Sequence, residues 1–248
     1  MIDKTVASVA DAVAGIPHGA TVMIGGFGRA GQPVELIDAL IDSGAGDLTI
    51  VSNNAGNGDV GLARLLKERR VRRILCSFPR QHDSWVFDEL YRAGEIELEL
   101  VPQGNLAERI RAAGAGIGAF FSPTGVGTVL AEGKEERVID GRRYVLEYPI
   151  RADVALVSAL KADRWGNLVY RETARNFGPV MASAATTTIV QVDEIVELGA
   201  LDPEAVATPG IFVDRVVAVG SRPWVVDGEF VGGVDVEGRP LGSQEASA

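Results

Sequence analysis

The stretch Thr21-Val22-Met23-Ile24-Gly25-Gly26-Phe27-Gly28-Arg29-Ala30-Gly31-Gln32-Pro33 decides how this chain folds. A β-branched apolar run stops at a cluster of glycines. Directly behind it an amphipathic pattern begins, Val34-Glu35-Leu36-Ile37-Asp38-Ala39-Leu40-Ile41. That order predicts a strand, a tight backbone turn and a helix. The N–H groups of such a turn and the N-terminus of the helix both favour anions. A ligand carrying phosphate or carboxylate is therefore expected here. A mere packing turn is the bland alternative, and the density of glycines argues against it.

Positions 26–31 also spell G-x-G-x-x-G, the dinucleotide fingerprint. That fingerprint needs an acidic residue at the end of the second strand for the ribose. The second strand, Leu48-Thr49-Ile50-Val51-Ser52, ends instead in the amides Asn53-Asn54, and Asp47 lies at its wrong end. An NAD-dependent oxidoreductase is thus disfavoured.

With 248 residues there is material for one large α/β core or two small ones. The net charge of −10 argues against nucleic acid, whose binding demands basic patches. The cluster Arg69-Arg70-Val71-Arg72-Arg73 is expected to be the solvated end of a helix, complementing its dipole. The single cysteine, Cys76, excludes an intrachain disulfide framework and fits a reducing compartment. It lies in a strand-like run and is expected to be a buried, inert thiol. No leader pattern and no apolar run of membrane-spanning length stand out, so the expectation is a soluble cytoplasmic protein with no membrane contact.

Helical spacing over 5–13 is followed by a turn at Pro17-His18-Gly19. Beyond the second strand, helical patterns at 61–67, 84–92 and 105–113 alternate with strand patterns at 71–76 and 95–101. Further strands are expected at 153–157 and 188–192. This alternation predicts an α/β fold: an open, mostly parallel sheet with helices on both faces. Residues 114–127, rich in glycine, read as an irregular loop at the mouth of the site. Residues 134–147 read as a small inserted β-ribbon with Asp140-Gly141 as its turn. Residues 1–220 form one domain in this reading. Residues 221–248 form a C-terminal extension, frayed or draped over a partner.

Ligands of such sheets sit outside the carboxyl ends of the strands. Three segments converge there: the glycine loop, Asn53-Asn54-Ala55-Gly56 and Pro102-Gln103-Gly104-Asn105. The amides Asn53, Asn54 and Gln103 suit a carbonyl oxygen that gains negative charge, or a substrate carboxylate. Asn105 is expected to be a turn or cap residue. His18 and His82 are too few for a metal site, and no metal is expected. A serine triad would need His82, and no G-x-S-x-G elbow accompanies it. Glu108, flanked by Arg109 and Arg111, pairs more plausibly than it reacts. The sequence thus offers oxyanion-type donors and no evident attacking group, which suggests that a second chain completes the chemistry.

These motifs resemble those of the A subunits of the family I CoA-transferases, the 3-oxoacid group. The family signature matches from Gly19 to Pro33, and His18 alone departs from it, replacing an acid or amide in the entering turn. Further landmarks are Ser52-Asn53-Asn54-Ala55-Gly56, Pro102-Gln103-Gly104-Asn105-Leu106-Ala107-Glu108-Arg109-Ile110-Arg111, Pro123-Thr124-Gly125 with Gly127-Thr128, Lys161-Ala162-Asp163-Arg164 with Gly166-Asn167, and Ala174-Arg175-Asn176-Phe177. They cover roughly residues 5 to 217. Within the family, 51–57 and 76–87 look most like members acting on 3-oxoadipate, with acetoacetate-using members as the alternative.

The resemblance implies a division of labour. A partner, the B subunit, in an assembly such as A2B2, supplies a nucleophilic glutamate from a Ser-Glu-Asn-Gly motif that this chain lacks. That glutamate attacks succinyl-CoA to give an acyl-glutamyl anhydride. The CoA thiolate returns, forming a glutamyl-CoA thioester and releasing succinate. A 3-oxoacid carboxylate then reverses the sequence and leaves as its CoA thioester. The glycine loop, Gly25, Gly26, Phe27, Gly28, Arg29, Ala30 and Gly31, is the implied CoA-binding segment. Gln103 is the implied oxyanion or substrate contact, and Asn53 and Asn54 are implied substrate contacts. CoA is a substrate here, and no permanently bound cofactor is expected. A non-catalytic alternative is a ligand sensor like the effector domains of some sugar-responsive regulators. The first 20 residues and the net charge show no sign of the DNA-binding helices such regulators carry.

Overall fold

The computed structural model describes residues 2–81, 83–220, 224–226 and 229–231. In chain order the elements are α1 (Val9–Val13), β1 (Thr21–Ile24), α2 (Val34–Asp42), β2 (Leu48–Val51), α3 (Leu62–Lys67), β3 (Val71–Cys76), α4 (Trp85–Arg92), β4 (Glu97–Leu100), α5 (Gln103–Gly114), β5 (Phe120–Ser122), β6 (Glu136–Ile139), β7 (Arg142–Glu147), β8 (Ala152–Asp163), β9 (Leu168–Val169), α6 (Gly178–Ala182), β10 (Ala185–Val196) and β11 (Arg215–Ala218). Two short strands, β12 (Trp224–Val226) and β13 (Glu229–Val231), pair antiparallel. The rest of the expected extension 221–248 lies outside the described residues, as does His82.

The main sheet runs β4-β3-β2-β1-β8-β10-β11, with every neighbouring pair parallel. Strand β9 folds back antiparallel on β8. From β1 to β4 the chain steps in one direction, so right-handed crossovers place α2, α3 and α4 on one face. From β8 to β10 it steps the other way, and α6 falls on the opposite face with α5 packed against it. Both faces are therefore covered, and the core divides by strand period. Val22, Ile24, Ile50, Ile74 and Leu156 bury against α1 to α4, while Met23, Val51, Leu75, Ala155 and Val157 bury against α5 and α6.

The ribbon expected at 134–147 is present as β6 and β7. Its turn residues Asp140 and Gly141 both have positive φ (48° and 77°), the pair of angles a two-residue I′ hairpin needs. A third strand, β5, pairs with β7, so the stretch 114–127 is not wholly irregular. The first helix is also shorter than its spacing suggests. Only Val9–Val13 is helical, and Thr5 forms a parallel bridge to Val216 of β11.

The arginine cluster departs from expectation in a useful way. Arg69 does end the turn after α3 and pairs with Glu95. Arg72 and Arg73, however, lie in β3 and meet Glu97 and Glu99 of the neighbouring edge strand β4. The cluster serves cross-strand pairing more than helix capping. The charges also guard an edge that could otherwise pair with another chain. Among the described residues, no helix is long and apolar enough to cross a membrane.

Candidate active site

The strand order reverses between β1 and β8, and at such a switch point a crevice opens beyond the carboxyl ends. The glycine loop leaves β1 there. The Gly25 N–H still donates to the Leu156 carbonyl of β8 at 3.0 Å. Phe27 and Ala30 then exchange both backbone hydrogen bonds, at 3.0 and 3.2 Å. This closes a two-residue hairpin with Gly28-Arg29 at its tip. Gly28 has φ +62° at the first central position, the glycine position of a II′ turn. Gly31, at φ +73°, comes so close to a neighbouring loop that a Cβ would lie 2.2 Å from the Ala174 carbonyl oxygen.

The donors of this loop are not all available. At the start of α2 the Leu36 N–H is taken by the buried Gln191 Oε1 at 3.0 Å, and the Val34 N–H by the Gln32 carbonyl. The helix N-terminus is thus partly capped from within the protein, contrary to the expectation of an open anion site. The N–H groups of Gly28 and Arg29 have no acceptor among the described residues. An open cleft of about 780 Å³ lies beside the hairpin, lined by Phe27, Ala30, Tyr170, Glu172, Thr173, Arg175, Asn176, Ala205 and Ala207. Burial raises the Tyr170 hydroxyl pKa above its ordinary value, so it stays protonated and bonds Thr208 Oγ1 at 2.7 Å.

The amides lie at the ends of the next strands. Asn53 and Asn54 follow β2 and are buried. Gln103 is the first residue of α5, just beyond β4, and is exposed. The structure joins Gln103 to Asn53: Gln103 Nε2 donates to Asn53 Oδ1 at 2.9 Å, and Ser77 Oγ donates to the same oxygen at 2.8 Å. Asn54 Oδ1 accepts the Gly56 N–H at 2.9 Å, an Asx-type turn. The Nδ2 groups of Asn53 and Asn54 have no acceptor among the described residues. The hairpin approaches this loop through Arg29: a Cβ on Gly58 would lie 3.6 Å from Arg29 Nη2 and 3.2 Å from Asp83 Oδ2. No hydrogen bond joins the hairpin to Asn53 or Gln103 among the described residues.

Three residues carry more here than sequence reasoning gave them. Ser77 anchors Asn53, and nothing in its local sequence signals this. Asn105 is not a cap, because α5 begins two residues earlier, behind Pro102. It is buried, donating to Glu147 Oε1 (3.0 Å) and the Thr124 carbonyl (3.3 Å) and accepting from Ser122 Oγ (2.7 Å). Lys134 Nζ reaches the same Glu147 oxygen at 2.7 Å, so this buried cluster ties the ribbon to the helix that presents Gln103. The third is Asn176, which binds the hairpin itself.

Two of the groups that could attack a carbonyl are engaged or protonated. Burial pushes the Cys76 thiol from its ordinary 9.0 up to about 12. Glu108 pairs with Arg111 at 2.9 Å. Among the described residues no group of His, Cys, Asp and Glu could hold a metal ion. At the sheet's carboxyl edge lies a row of N–H donors, suited to a carbonyl oxygen or a carboxylate.

Residues 6–219 match the family described as Coenzyme A transferase. The chain is 71% identical to the A subunit of the 3-oxoadipate CoA-transferase of Pseudomonas putida, across 88% of this chain and 95% of that one. It is 52% identical to the A subunit of the succinyl-CoA:3-ketoacid coenzyme A transferase of Xanthomonas campestris, across 86% and 88%. Among solved structures, an acyl-CoA transferase from Escherichia coli O157:H7 in a thioester complex with CoA superposes with a TM-score of 0.78 at 26% identity. That overlap takes in 87% of this chain and 47% of the other, so the chain spans about half of that longer protein.

Proposed function

The chain belongs to the coenzyme A transferase family, and on that premise we propose that it is the A subunit of an enzyme moving CoA from succinyl-CoA to 3-oxoadipate. The observation that carries the substrate is the 71% identity to the 3-oxoadipate relative over nearly the whole of both chains, against 52% to the 3-ketoacid relative. Acetoacetate is the alternative acceptor.

In this reading the chain is half of a catalyst. A partner, the B subunit, supplies the carboxylate nucleophile that the described residues lack. The Nδ2 groups of Asn53 and Asn54 and the second Nε2 proton of Gln103 meet substrate oxygens that gain negative charge. The Gly28 and Arg29 N–H groups at the hairpin tip hold the CoA ester beside them. These donors are fixed before the substrate arrives, so they need no reorganisation as charge develops. CoA enters and leaves as substrate, with no resident cofactor. A cytoplasmic location fits the single, buried, protonated thiol.

The test is reconstitution. The purified chain should not transfer CoA from succinyl-CoA to 3-oxoadipate, and adding its B partner should restore turnover. Clear turnover by this chain unaided would refute the division of labour. A strong preference for acetoacetate in the complex would replace the acceptor.

A further inference from the structure

The glycine hairpin is held from outside its own segment. Asn176 Oδ1 accepts the Gly26 N–H at 3.1 Å and the Phe177 N–H at 2.7 Å. Asn176 Nδ2 donates to the Ala30 carbonyl at 3.0 Å, and lies 3.0 Å from the Thr173 and 3.2 Å from the Ala174 carbonyl oxygens. One amide thus grips both feet of the hairpin, across about 150 residues of chain. Its oxygen takes two donors and its two protons are shared among three acceptors, so its polar capacity is spent on protein. Although Asn176 lines the cleft, it has nothing left to offer a ligand.

The hairpin needs such a strap. It lies between two glycines with positive φ, Gly26 and Gly31, and glycines lose the most freedom on ordering. The turn that brings Asn176 in is itself costly. Glu172 has φ +44°, which for a side-chain-bearing residue costs about 1–2 kcal/mol. Two residues on, the Ala174 carbonyl oxygen comes to within 2.2 Å of where a Cβ on Gly31 would lie.

We propose that Asn176 is a positioning residue for CoA transfer. It fixes the hairpin so that the Gly28 and Arg29 N–H groups are held where the ester must sit, and it does not itself touch substrate. The proposal rests on the CoA-transferase reading above. A hairpin free to shift by about 1 Å would lose rate, since misplacement on that scale can cost on the order of 100-fold.

The experiment uses the assembled A/B complex with Asn176→Ala and Asn176→Asp. Asn176→Ala should lower kcat by about 10- to 100-fold while KM for succinyl-CoA stays within about threefold. Hydrogen exchange at the Gly26 amide should accelerate, with Val22 to Ile24 unchanged. Asn176→Asp keeps the acceptor for Gly26 but sets a charged oxygen against three carbonyls. Its activity relative to the parent should rise as pH falls, because the neutral carboxyl regains one donor.

Parent-like kcat in a folded Asn176→Ala complex overturns the proposal. So does a loss of kcat without faster Gly26 exchange, or a rise in KM alone. If Asn176→Ala does not assemble, the Asn176→Asp profile decides, and a flat ratio across pH overturns it. If the parent complex does not transfer CoA, the functional reading fails by itself. Gly26 exchange in the same complexes still tests the strap, and unchanged exchange in the variant overturns it.

Discussion

Gln103 gives one amide proton to Asn53 before any substrate arrives, so the two side chains act as a pair. Replacing Gln103 by alanine removes a donor yet leaves Asn53 Oδ1 with the Ser77 hydroxyl, so the fold loses little. In the role proposed for Gln103 the cost falls on the oxyanion instead. Losing one such donor typically lowers kcat about 100- to 1,000-fold, and the lower end is expected because Asn53 and Asn54 share the load. Kinetics and melting curves of Gln103→Ala in the A/B complex check this; a well-folded variant with near-normal kcat removes Gln103 from the mechanism. Gln103→Glu should be worse, as it sets negative charge against both Asn53 Oδ1 and the developing oxyanion. Cys76 gives a second residue-scale prediction. Its thiol pKa rises on folding from 9.0 to about 12, so above pH 9 the unfolded chain binds fewer protons than the native one. Stability should therefore fall as pH rises through 9 to 12, and Cys76→Ala should reduce that loss. Tyr170, also raised by burial, keeps part of it. Equal alkaline loss in parent and variant would count against the buried thiol. At this scale the placement of the amides was legible, because polar side chains directly after an apolar run mark the end of a strand. Asn176 carries no such mark, since its hairpin partners Gly26 and Ala30 lie about 150 residues away and only the closed sheet brings them together.

The glycine loop separates into positions with different duties. At Gly28 a Cβ would meet nothing nearer than Gln81 Nε2 at 3.9 Å, so Gly28→Ala costs only its positive φ, about 1–2 kcal/mol. At Gly31 the same Cβ would strike the Ala174 backbone, which must then move and pull Asn176 from the hairpin. Gly31→Ala should lower both melting temperature and kcat, whereas Gly28→Ala should lower kcat for CoA esters with a smaller fall in melting temperature. Thermal melts beside steady-state kinetics distinguish them, and identical behaviour would contradict this division. The ribbon was legible to its turn, because only a few residue pairs accept two successive positive φ values. Strand β5 was not, since three residues are too few to display a period among so many glycines. The strands β8 and β10 run to twelve residues each, well past the apolar stretches that mark them. Their far halves, with Lys161 paired to Glu194 at 2.7 Å, are held by ladder bonds and charge, which a hydrophobic pattern does not register.

The whole sheet is fastened at one edge by the N-terminal segment. The Val6 N–H donates to the Val216 carbonyl (2.9 Å) and the Val216 N–H to the Lys4 carbonyl (2.8 Å), while Lys4 Nζ reaches the Gly210 and Val213 carbonyls at 2.6 Å. Removing residues 1–7 should cost a few kcal/mol at about 1 kcal/mol per net bond. That corresponds to a fall in melting temperature of roughly 5–10 °C for a chain of this size. A truncated chain that melts with the parent would show the segment to be unneeded. Alternating elements made the sheet legible as a class, but no local pattern states that β8 inserts beside β1 or that Thr5 joins the edge strand β11.

That insertion has a consequence for the chain as it is made. Strands β1 to β4 are joined by short local crossovers and can assemble as soon as they emerge. The outer edge of β1 meanwhile stays bare, because its partner β8 begins only at residue 152. At typical synthesis rates that wait is on the order of ten seconds. Until it ends, the nascent half-sheet offers Thr21 to Ile24 to any passing strand. The strand that carries the glycine hairpin is thus one whose edge waits on the ribosome for its partner.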